Sequence, residues 1–174
     1  EVLRNGESEY QYSYGALNRL EYAKNVAGKE VEYVYNGLGY RIGRQEKKEE
    51  KQGVFSEVKT EYVIDMTKPY HNLLQKEEAG NRQTFLWDQN VAGMVEEDFP
   101  HKFYLQDEMG SPLRLVDAEG ILRETYSYDE FGRDLFPDRM QTQPFGFTGY
   151  QADHVAGTYF AQAREYMPSA GRFA

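Results

Sequence analysis

The sequence predicts an all-β protein of consecutive antiparallel β-hairpins, which form a curved sheet or a section of a β-spiral shell. Polar and apolar residues alternate with a period of two along several segments, and short turn signals with glycine separate these segments. The 174 residues include 15 Tyr and 10 Phe, which suit the half-buried face of a sheet. Most gaps are too short for the crossover of about a dozen residues that parallel strands need, so we expect antiparallel pairing.

The clearest strand patterns occur at three places, each bounded by turn signals. We predict strands at 30–35, 58–64 and 123–128. Segment 67–78 contains Leu73 and Leu74 but also Pro69, so we favour a loop that leads into a strand over a helix. The residues that require positive φ or a local side-chain hydrogen bond predict turns between the strands, at 27–28, 36–37, 79–81, 119–120 and 129–132.

One motif occurs three times, at 12–20, 33–42 and 126–133. Two Tyr residues at i and i+2 lie on one face of a strand, a following Asp or Asn starts a tight turn, and a Gly supplies positive φ. The motif therefore predicts strand, turn, strand. Its candidate structural residues are Tyr126, Tyr128, Asp129, Gly132, Arg133, Tyr33, Tyr35 and Gly39.

The motif resembles the YD repeat of the Rhs (rearrangement hotspot) and teneurin-like proteins, roughly Tyr-x-Tyr-Asp-x-x-Gly-Arg. The copy at 126–133 matches fully. The first copy has Gly15 in place of Asp and Asn18 in place of Gly, whereas the second has Asn36 in place of Asp and Tyr40 in place of Arg. Because Asn tolerates the left-handed region, we expect both of these copies to turn as well.

The C-terminal third is similar, in the order of its landmarks, to the Rhs-repeat-associated core. The matching segments are 104–120, 143–150, 156–166 and 171–173. The resemblance is close over 103–174 and looser over 9–42. It implies YD-repeat-like hairpins over 1–102 and a core-like segment over 103–174, within one continuous structural unit.

In this family the repeats build a hollow shell around a variable C-terminal domain, commonly a toxin. The resemblance implies that the chain is a non-catalytic shell (cocoon) segment of a polymorphic toxin, which encloses and presents a C-terminal effector domain. The implied partners are this effector domain and the adjoining repeats, and the implied location is secreted or at the bacterial cell surface. We also expect self-association through exposed sheet edges.

Two alternative functions stay open. Some relatives cleave themselves with aspartates of the core, and Asp153 lies at a matching position, but Met167 stands where the family landmark has an Asp. The inactive half of an aspartic-type site is one interpretation of Asp153, and the start of a turn towards Gly157 is the favoured one. The other alternative is a carbohydrate- or cell-surface-binding module that exposes Tyr126 and Tyr128 on its outer face.

Composition weighs against several other functions. The net charge of −9 disfavours nucleic acid as a partner, and the absence of Cys excludes disulfides and thiolate metal sites. No segment approaches the ~20 apolar residues of a membrane span. The three histidines are widely separated and give no metal-binding spacing; they are His71, His101 and His154. The sequence also lacks the Gly-x-Ser-x-Gly frame of a nucleophile elbow and a Gly-rich phosphate loop. We therefore predict no metal, cofactor or catalytic residue.

Three further features have structural interpretations. The acidic run 96–98 is more typical of a solvated loop than of a glycosidase pair, and the mixed charges of 46–51 indicate a solvated turn. We expect Trp87 to anchor a strand in the core, since its neighbours 84–86 have a strand pattern.

Overall fold

The computed structural model describes residues 2–4, 7–51, 53–68, 72–136 and 142–174. Within these residues, twelve strands pair antiparallel in chain order to form one continuous sheet, which confirms the predicted all-β hairpin fold. The strands are β1 (Val2–Arg4), β2 (Glu7–Tyr14), β3 (Leu20–Asn25), β4 (Glu30–Tyr35), β5 (Arg41–Lys51), β6 (Val54–Asp65), β7 (Asn72–Glu78), β8 (Asn81–Trp87), β9 (Val91–Glu96), β10 (Phe99–Gln106), β11 (Pro112–Asp117) and β12 (Leu122–Thr125).

A second, four-stranded antiparallel sheet follows near the C-terminus. It contains β13 (Gln151–Asp153), β14 (Thr158–Ala161), β15 (Arg164–Met167) and β16 (Arg172–Phe173), again in chain order. A 3-10 turn at Phe147–Gly149 precedes it. Among the described residues, no helix is long and apolar enough to cross a membrane.

The turn within the third motif copy shows how the hairpins close. The backbone N–H of Asp129 donates to the Arg133 carbonyl at 3.0 Å, and that of Gly132 donates to the Asp129 carbonyl at 3.0 Å. Gly132 has φ +84°. This is a type I turn followed by a left-handed glycine, a common three-residue hairpin loop. The same two backbone bonds recur at 15–19, 25–29, 36–40, 107–111, 117–121 and 146–150.

The Asp or Asn that opens the turn also accepts hydrogen bonds from the turn's backbone. Asp129 Oδ1 accepts from the N–H groups of Phe131 and Arg133, both at 2.9 Å. In the second copy, Asn36 Oδ1 accepts in the same way from Leu38 and Tyr40. An Asx side chain therefore satisfies amides that the hairpin leaves without strand partners.

The first motif copy turns without either consensus residue. Gly15 replaces the Asx side chain, and Asn18 takes the glycine position with φ +54°. The expectation that both imperfect copies turn is confirmed, and Asn18 shows the physical reason, because Asn enters the left-handed region more readily than most residues.

The long sheet curves around the C-terminal segment. In a flat sheet, β2 and β10 would lie eight strand spacings apart, about 38 Å. Yet the Tyr104 ring of β10 lies 6.0 Å from the Phe145 ring, and Tyr12 Oη of β2 donates to the Ala156 carbonyl at 2.6 Å. Phe145 faces Gln151 across a β-bridge, so 145 and 156 are separated by at most about 22 Å of chain. The face that carries the C-terminal segment is therefore concave.

Two hydrophobic clusters form on the concave face, and the C-terminal segment contributes to both. Each half of the long sheet thus buries its apolar side chains only with the help of residues 142–174. The first cluster contains Leu73, Phe85, Val91, Met94, Tyr104, Leu115, Tyr126 and Phe145, and the second contains Leu20, Ala23, Val31, Tyr33, Val155 and Ala156.

The structure corrects the interpretation of the charged run 46–51. These residues belong to β5 rather than to a turn. Strand pairing places four residues of alternating charge in one row across β3 to β6, on the convex face: Lys24, Glu30, Lys47 and Glu57. Opposite charges on neighbouring strands stabilise a sheet, so a strand with a solvated face needs no apolar residues there.

Segment 67–78 behaves as predicted where it is described, since β7 begins at Asn72. Pro69 and His71 lie outside the described residues. Trp87 anchors β8 as expected: its indole N–H donates to the Leu73 carbonyl at 2.7 Å, and its ring meets the Phe145 ring edge to face at 5.4 Å. No group of residues with metal-ligand character occurs in the described part of the chain.

Candidate functional site

A buried polar cluster joins the long sheet to the C-terminal sheet. We call it the clamp and define it by three residues of the long sheet and three of the C-terminal sheet. Two Arg–carboxylate ion pairs cross between the sheets, with a tyrosine and a threonine as additional hydrogen-bond donors. The clamp residues are Tyr33, Arg41, Arg44, Asp153, Thr158 and Glu165.

Asp153 ends β13 and makes four hydrogen bonds. Its Oδ1 accepts from the backbone N–H groups of Val155 at 3.0 Å and Ala156 at 2.9 Å. Its Oδ2 accepts from Tyr33 Oη at 2.8 Å and from Arg44 Nη1 at 3.1 Å. The predicted role as the start of a turn is confirmed, and the same side chain also ties that turn to the wall.

The surroundings of Asp153 keep its carboxylate ionised. Burial alone would raise the pKa of Asp153, but the Arg44 guanidinium and the hydrogen bond from Ala156 N–H lower it below the ordinary value for Asp. An aspartic-type reaction instead needs two carboxylates that share a proton, one of them with a raised pKa. In this structure the Asp153 carboxylate forms an ion pair with the Arg44 guanidinium instead.

The second ion pair, between Arg41 and Glu165, is more deeply buried. The two side chains are 4% and 3% exposed. Thr158 Oγ1 donates to Glu165 Oε2 at 2.8 Å, and the Arg41 guanidinium lies 4.0 Å from the Tyr33 ring centre and 3.8 Å from that of Phe160. Burial alone would lower the pKa of Arg41, but the Glu165 carboxylate raises it above the ordinary value.

The ion pairs position the C-terminal sheet more than they add net stability. Desolvation of two charges offsets most of their attraction, whereas loss of one partner leaves a buried charge that costs about 3–5 kcal/mol. Any other placement of the C-terminal sheet would separate both pairs. The clamp therefore selects one register and one orientation.

The tyrosines of the first two motif copies face the clamp. Tyr35 Oη donates to the Leu20 carbonyl at 2.7 Å and accepts from Arg41 Nη2 at 3.1 Å. Tyr12 Oη donates to Ala156, next to the Asp153 turn. Gly39 takes its predicted place in the turn of the second copy, with φ +80°.

The tyrosines of the third copy lie in the first hydrophobic cluster. Tyr126 is 2% exposed and donates to Glu124, and the partly buried Tyr128 packs at 5.9 Å from the Phe147 ring. The suggestion that Tyr126 is displayed on an outer face for carbohydrate is therefore wrong. The predicted strand 123–128 is also three residues too long, because β12 ends at Thr125 and both tyrosines follow it, where the C-terminal segment covers them.

The turn of the third copy is fastened to the C-terminal sheet. Tyr159 Oη donates to the Gly132 carbonyl at 2.8 Å, and Tyr166 Oη donates to the Phe131 carbonyl at 2.9 Å. Arg133 Nη2 donates to the Ser169 carbonyl at 2.8 Å. The Arg that completes the YD motif thus bonds to a segment 36 residues further along the chain.

Two of the turn glycines provide room as well as positive φ. A Cβ on Gly132 would lie 2.4 Å from Phe147 Cδ1, and one on Gly157 would lie 2.5 Å from Tyr10 Cζ. Real Cβ atoms do not approach other atoms so closely. These glycines therefore allow an aromatic ring to sit directly on the turn.

A second polar group holds the start of the C-terminal segment. Gln83 Nε2 donates to Glu96 Oε1 at 2.9 Å and to the Thr142 carbonyl at 2.5 Å. Lys102 Nζ lies 3.3 Å from Glu96 and 3.5 Å from Glu124. The solvated-loop interpretation of 96–98 is therefore wrong for Glu96, which is 8% exposed, and right for the two residues after it, which are exposed in the turn.

Sequence reasoning did not single out most of the clamp. Tyr33 and Asp153 were predicted as structural residues, whereas Arg41, which lies within the second motif copy, and Arg44, Thr158 and Glu165 were not. The available signal was the alternation of side chains along a strand. Glu165 lies two residues before the buried Met167, so its charged side chain points to the same, apolar face. Such a charge must find a partner, but the sequence does not show which one.

The family comparison matches the whole described chain. The model of the Teneurin YD-shell family matches residues 2–174. The Toxin protein Tse5 of Pseudomonas aeruginosa is 38% identical over 73 residues, which are 41% of this chain and 6% of that protein. The tRNA3(Ser)-specific nuclease WapA of Bacillus spizizenii is 27% identical over 108 residues, which are 59% of this chain and 5% of that protein.

Solved structures show the same fold at low sequence identity. The crystal structure of TcdB2-TccC3 superimposes with a TM-score of 0.71 at 14% identity, and covers 97% of this chain and 9% of that one. The Photorhabdus luminescens Tc holotoxin pore gives 0.69 at 14% identity, with 95% and 9% covered. The chain thus spans less than a tenth of the length of each of these relatives and structures.

Proposed function

The chain belongs to the teneurin YD-shell family, and we propose from this premise that it is a non-catalytic section of a shell wall that encloses and presents a C-terminal effector domain. Its partners are that effector domain and the adjoining repeats. We also propose that the complete protein is a secreted or cell-surface protein of a bacterium. Residues 1–102 supply repeat hairpins and residues 103–174 supply the core-like boundary.

The observation that carries the proposal is the curved sheet with its clamped C-terminal segment. A wall needs strands that continue edge to edge, and the twelve strands pair in chain order. It also needs a fixed concave side, and the clamp holds the C-terminal sheet on that side. An effector domain that follows the C-terminal sheet would therefore begin on the concave side of the wall.

The non-catalytic part of the proposal is supported by the state of the carboxylates. Asp153 and Glu165 are each paired with an arginine, and the pKa of Asp153 is lowered rather than raised. These carboxylates act as fixed anions that accept hydrogen bonds. They have the chemistry of a structural interface.

Protease protection tests the proposal in the full-length protein that contains this chain. The wild-type effector should resist a protease that digests the same effector when it is expressed alone. The double variant Asp153→Ala, Glu165→Ala opens the clamp and should expose the effector. The matched control is Glu61→Gln, which removes one partner of the exposed Lys59–Glu61 pair on the convex face and should leave protection intact.

The same experiment defines failure. Wild-type effector that is digested as fast as the free domain would contradict enclosure. Protection that survives loss of the clamp would contradict the role assigned to the C-terminal sheet.

A further inference from the structure

A cavity of about 350 Å³ opens on the concave face, where β7 and β9 end and β8 and β10 begin. Its size lies at the lower end of the range for ligand pockets, about 300–1,000 Å³. It lies beside the first hydrophobic cluster and outside the clamp. Its lining residues are Lys76, Glu78, Asn81, Gln83, Glu96, Phe99, Lys102 and Thr142.

The charges that line the cavity are already paired with one another. Lys76 Nζ lies 3.3 Å from Glu78, and Lys102 Nζ lies 3.3 Å from Glu96. A charged ligand would have to break one of these pairs, whereas a neutral group with hydrogen-bond donors and acceptors would not. The lining therefore favours a neutral polar ligand.

Phe99 adds an apolar surface to this polar lining. Phe99 is 58% exposed, although it pairs with Glu96 and so lies on the concave side. An exposed aromatic ring beside amide and carboxylate groups suits a ligand that has both an apolar side and hydrogen-bonding groups. An extended polypeptide has this combination, because its backbone alternates donors and acceptors while its side chains supply apolar contacts.

We infer that this cavity binds a short, uncharged segment of the enclosed effector polypeptide, with its backbone amides against Asn81 and the paired charges and an apolar side chain against Phe99. The inference rests on the proposed function, because only a chain on the concave side of a closed wall reaches this site. The wall would then hold the effector through a defined contact between this cavity and the effector main chain.

Site-specific photo-cross-linking in the full-length protein tests the inference. Phe99→p-benzoylphenylalanine places the probe in the cavity. Phe103→p-benzoylphenylalanine is the matched control, because Phe103 lies on the same strand, is 42% exposed and pairs with Gly93 on the convex face. We expect cross-links from position 99 to peptides of the effector and none from position 103, as identified by mass spectrometry.

Protease protection of the effector in the same samples separates the two claims. A protected effector that does not cross-link to position 99 overturns this inference and leaves the enclosure standing. Equal cross-linking from 99 and 103 also overturns it, because it shows contact without a site. An unprotected wild-type effector overturns the enclosure and, with it, the cavity's proposed ligand.

A second measurement guards against disturbance by the bulky probe. Phe99→Ala should weaken retention of the effector after the clamp is opened, whereas Phe55→Ala, which truncates another exposed ring, should not. Identical release from both variants would contradict the inference.

Discussion

At the residue scale, Asp153 combines two tasks that usually fall to different side chains. One carboxylate oxygen closes a local turn, and the other joins Tyr33 and Arg44 across 109 or more residues of sequence. The local task explains why an Asp begins the turn. The long-range task explains why this Asp is buried and needs a cation.

Asp153→Asn is expected to lower the free energy of unfolding by about 1.5–3 kcal/mol, because it removes the carboxylate that lies 3.1 Å from Arg44 and leaves this guanidinium only its longer contacts with Glu46 and Glu78, at 3.5 and 3.9 Å. The amide preserves the size of the side chain and an acceptor for the turn. Urea denaturation measures the effect. Glu61→Gln, at the exposed Lys59–Glu61 pair, is the control and should change stability by no more than about 1 kcal/mol. Equal effects from both variants would contradict the account.

The stabilisation by Asp153 should also depend on pH. A carboxyl whose pKa is lower in the folded than in the unfolded state stabilises fully above the unfolded-state pKa of about 3.9 and loses this contribution as pH falls through the folded value. The stability difference between wild type and Asp153→Asn should therefore be constant near neutral pH and shrink below about pH 4. Urea titrations at a series of pH values measure it. A difference that grows on acidification would reverse the sign of the pKa shift.

Two turn glycines allow the cost of backbone conformation to be separated from that of packing. Gly120 has φ +78° with no atom near its Cβ position, whereas Gly132 has φ +84° with Phe147 at 2.4 Å. Gly120→Ala should cost about 1–2 kcal/mol, the penalty of the left-handed conformation. Gly132→Ala should cost a further 1–3 kcal/mol or so for overpacking. Thermal or urea unfolding of both variants measures the difference, and equal costs would show that Phe147 does not rest on this turn.

At the element scale, the connection from the long sheet to the C-terminal sheet acts as a core element although it contains little regular structure. Phe145 lies within 6.0 Å, centre to centre, of the Phe85, Trp87 and Tyr104 rings, and each pair meets edge to face. Its backbone N–H donates to Gln143 Oε1 at 2.7 Å. Strands β8 and β10 are thus joined through a residue that belongs to neither.

Phe145→Ala is expected to destabilise the protein by about 3–5 kcal/mol, because it removes a fully buried ring and leaves a cavity among three aromatic side chains. Hydrogen exchange should show early loss of protection in β8 and β10. Phe55→Ala, which removes a ring that is 63% exposed, should change stability by no more than about 0.5 kcal/mol. A small effect at position 145 would mean that the connection does not help to hold the sheets together.

The hairpins could be predicted from the sequence because their information is local. Asn36 lies three residues before Gly39, and Asp129 lies three residues before Gly132. In each turn the Asx side chain accepts hydrogen bonds from the backbone of the same turn. The run 46–51 was predicted wrongly because all six of its residues are charged, so this part of the strand lacks the apolar alternation that marks other strands. The Arg41–Glu165 pair was not predicted because 124 residues separate its members, and only the curvature of the sheet brings them together.

At the scale of the whole molecule, the curvature of the long sheet comes from the repeats and the C-terminal segment together. The Tyr residues and turns of the repeats form a sheet that continues in chain order, and the C-terminal segment contacts strands near both ends of it, which fixes how strongly it bends. The resulting piece has one concave face with a clamped segment and one convex face with cross-strand charge pairs. A closed wall needs such a difference between its inner and outer faces.

Electron cryomicroscopy of the full-length protein that contains this chain tests the account most directly. The account predicts a hollow shell in which these twelve strands form part of the wall, with β13 to β16 on the inner surface and effector density inside. A C-terminal sheet on the outer surface, or a wall that does not close around a cavity, would contradict it.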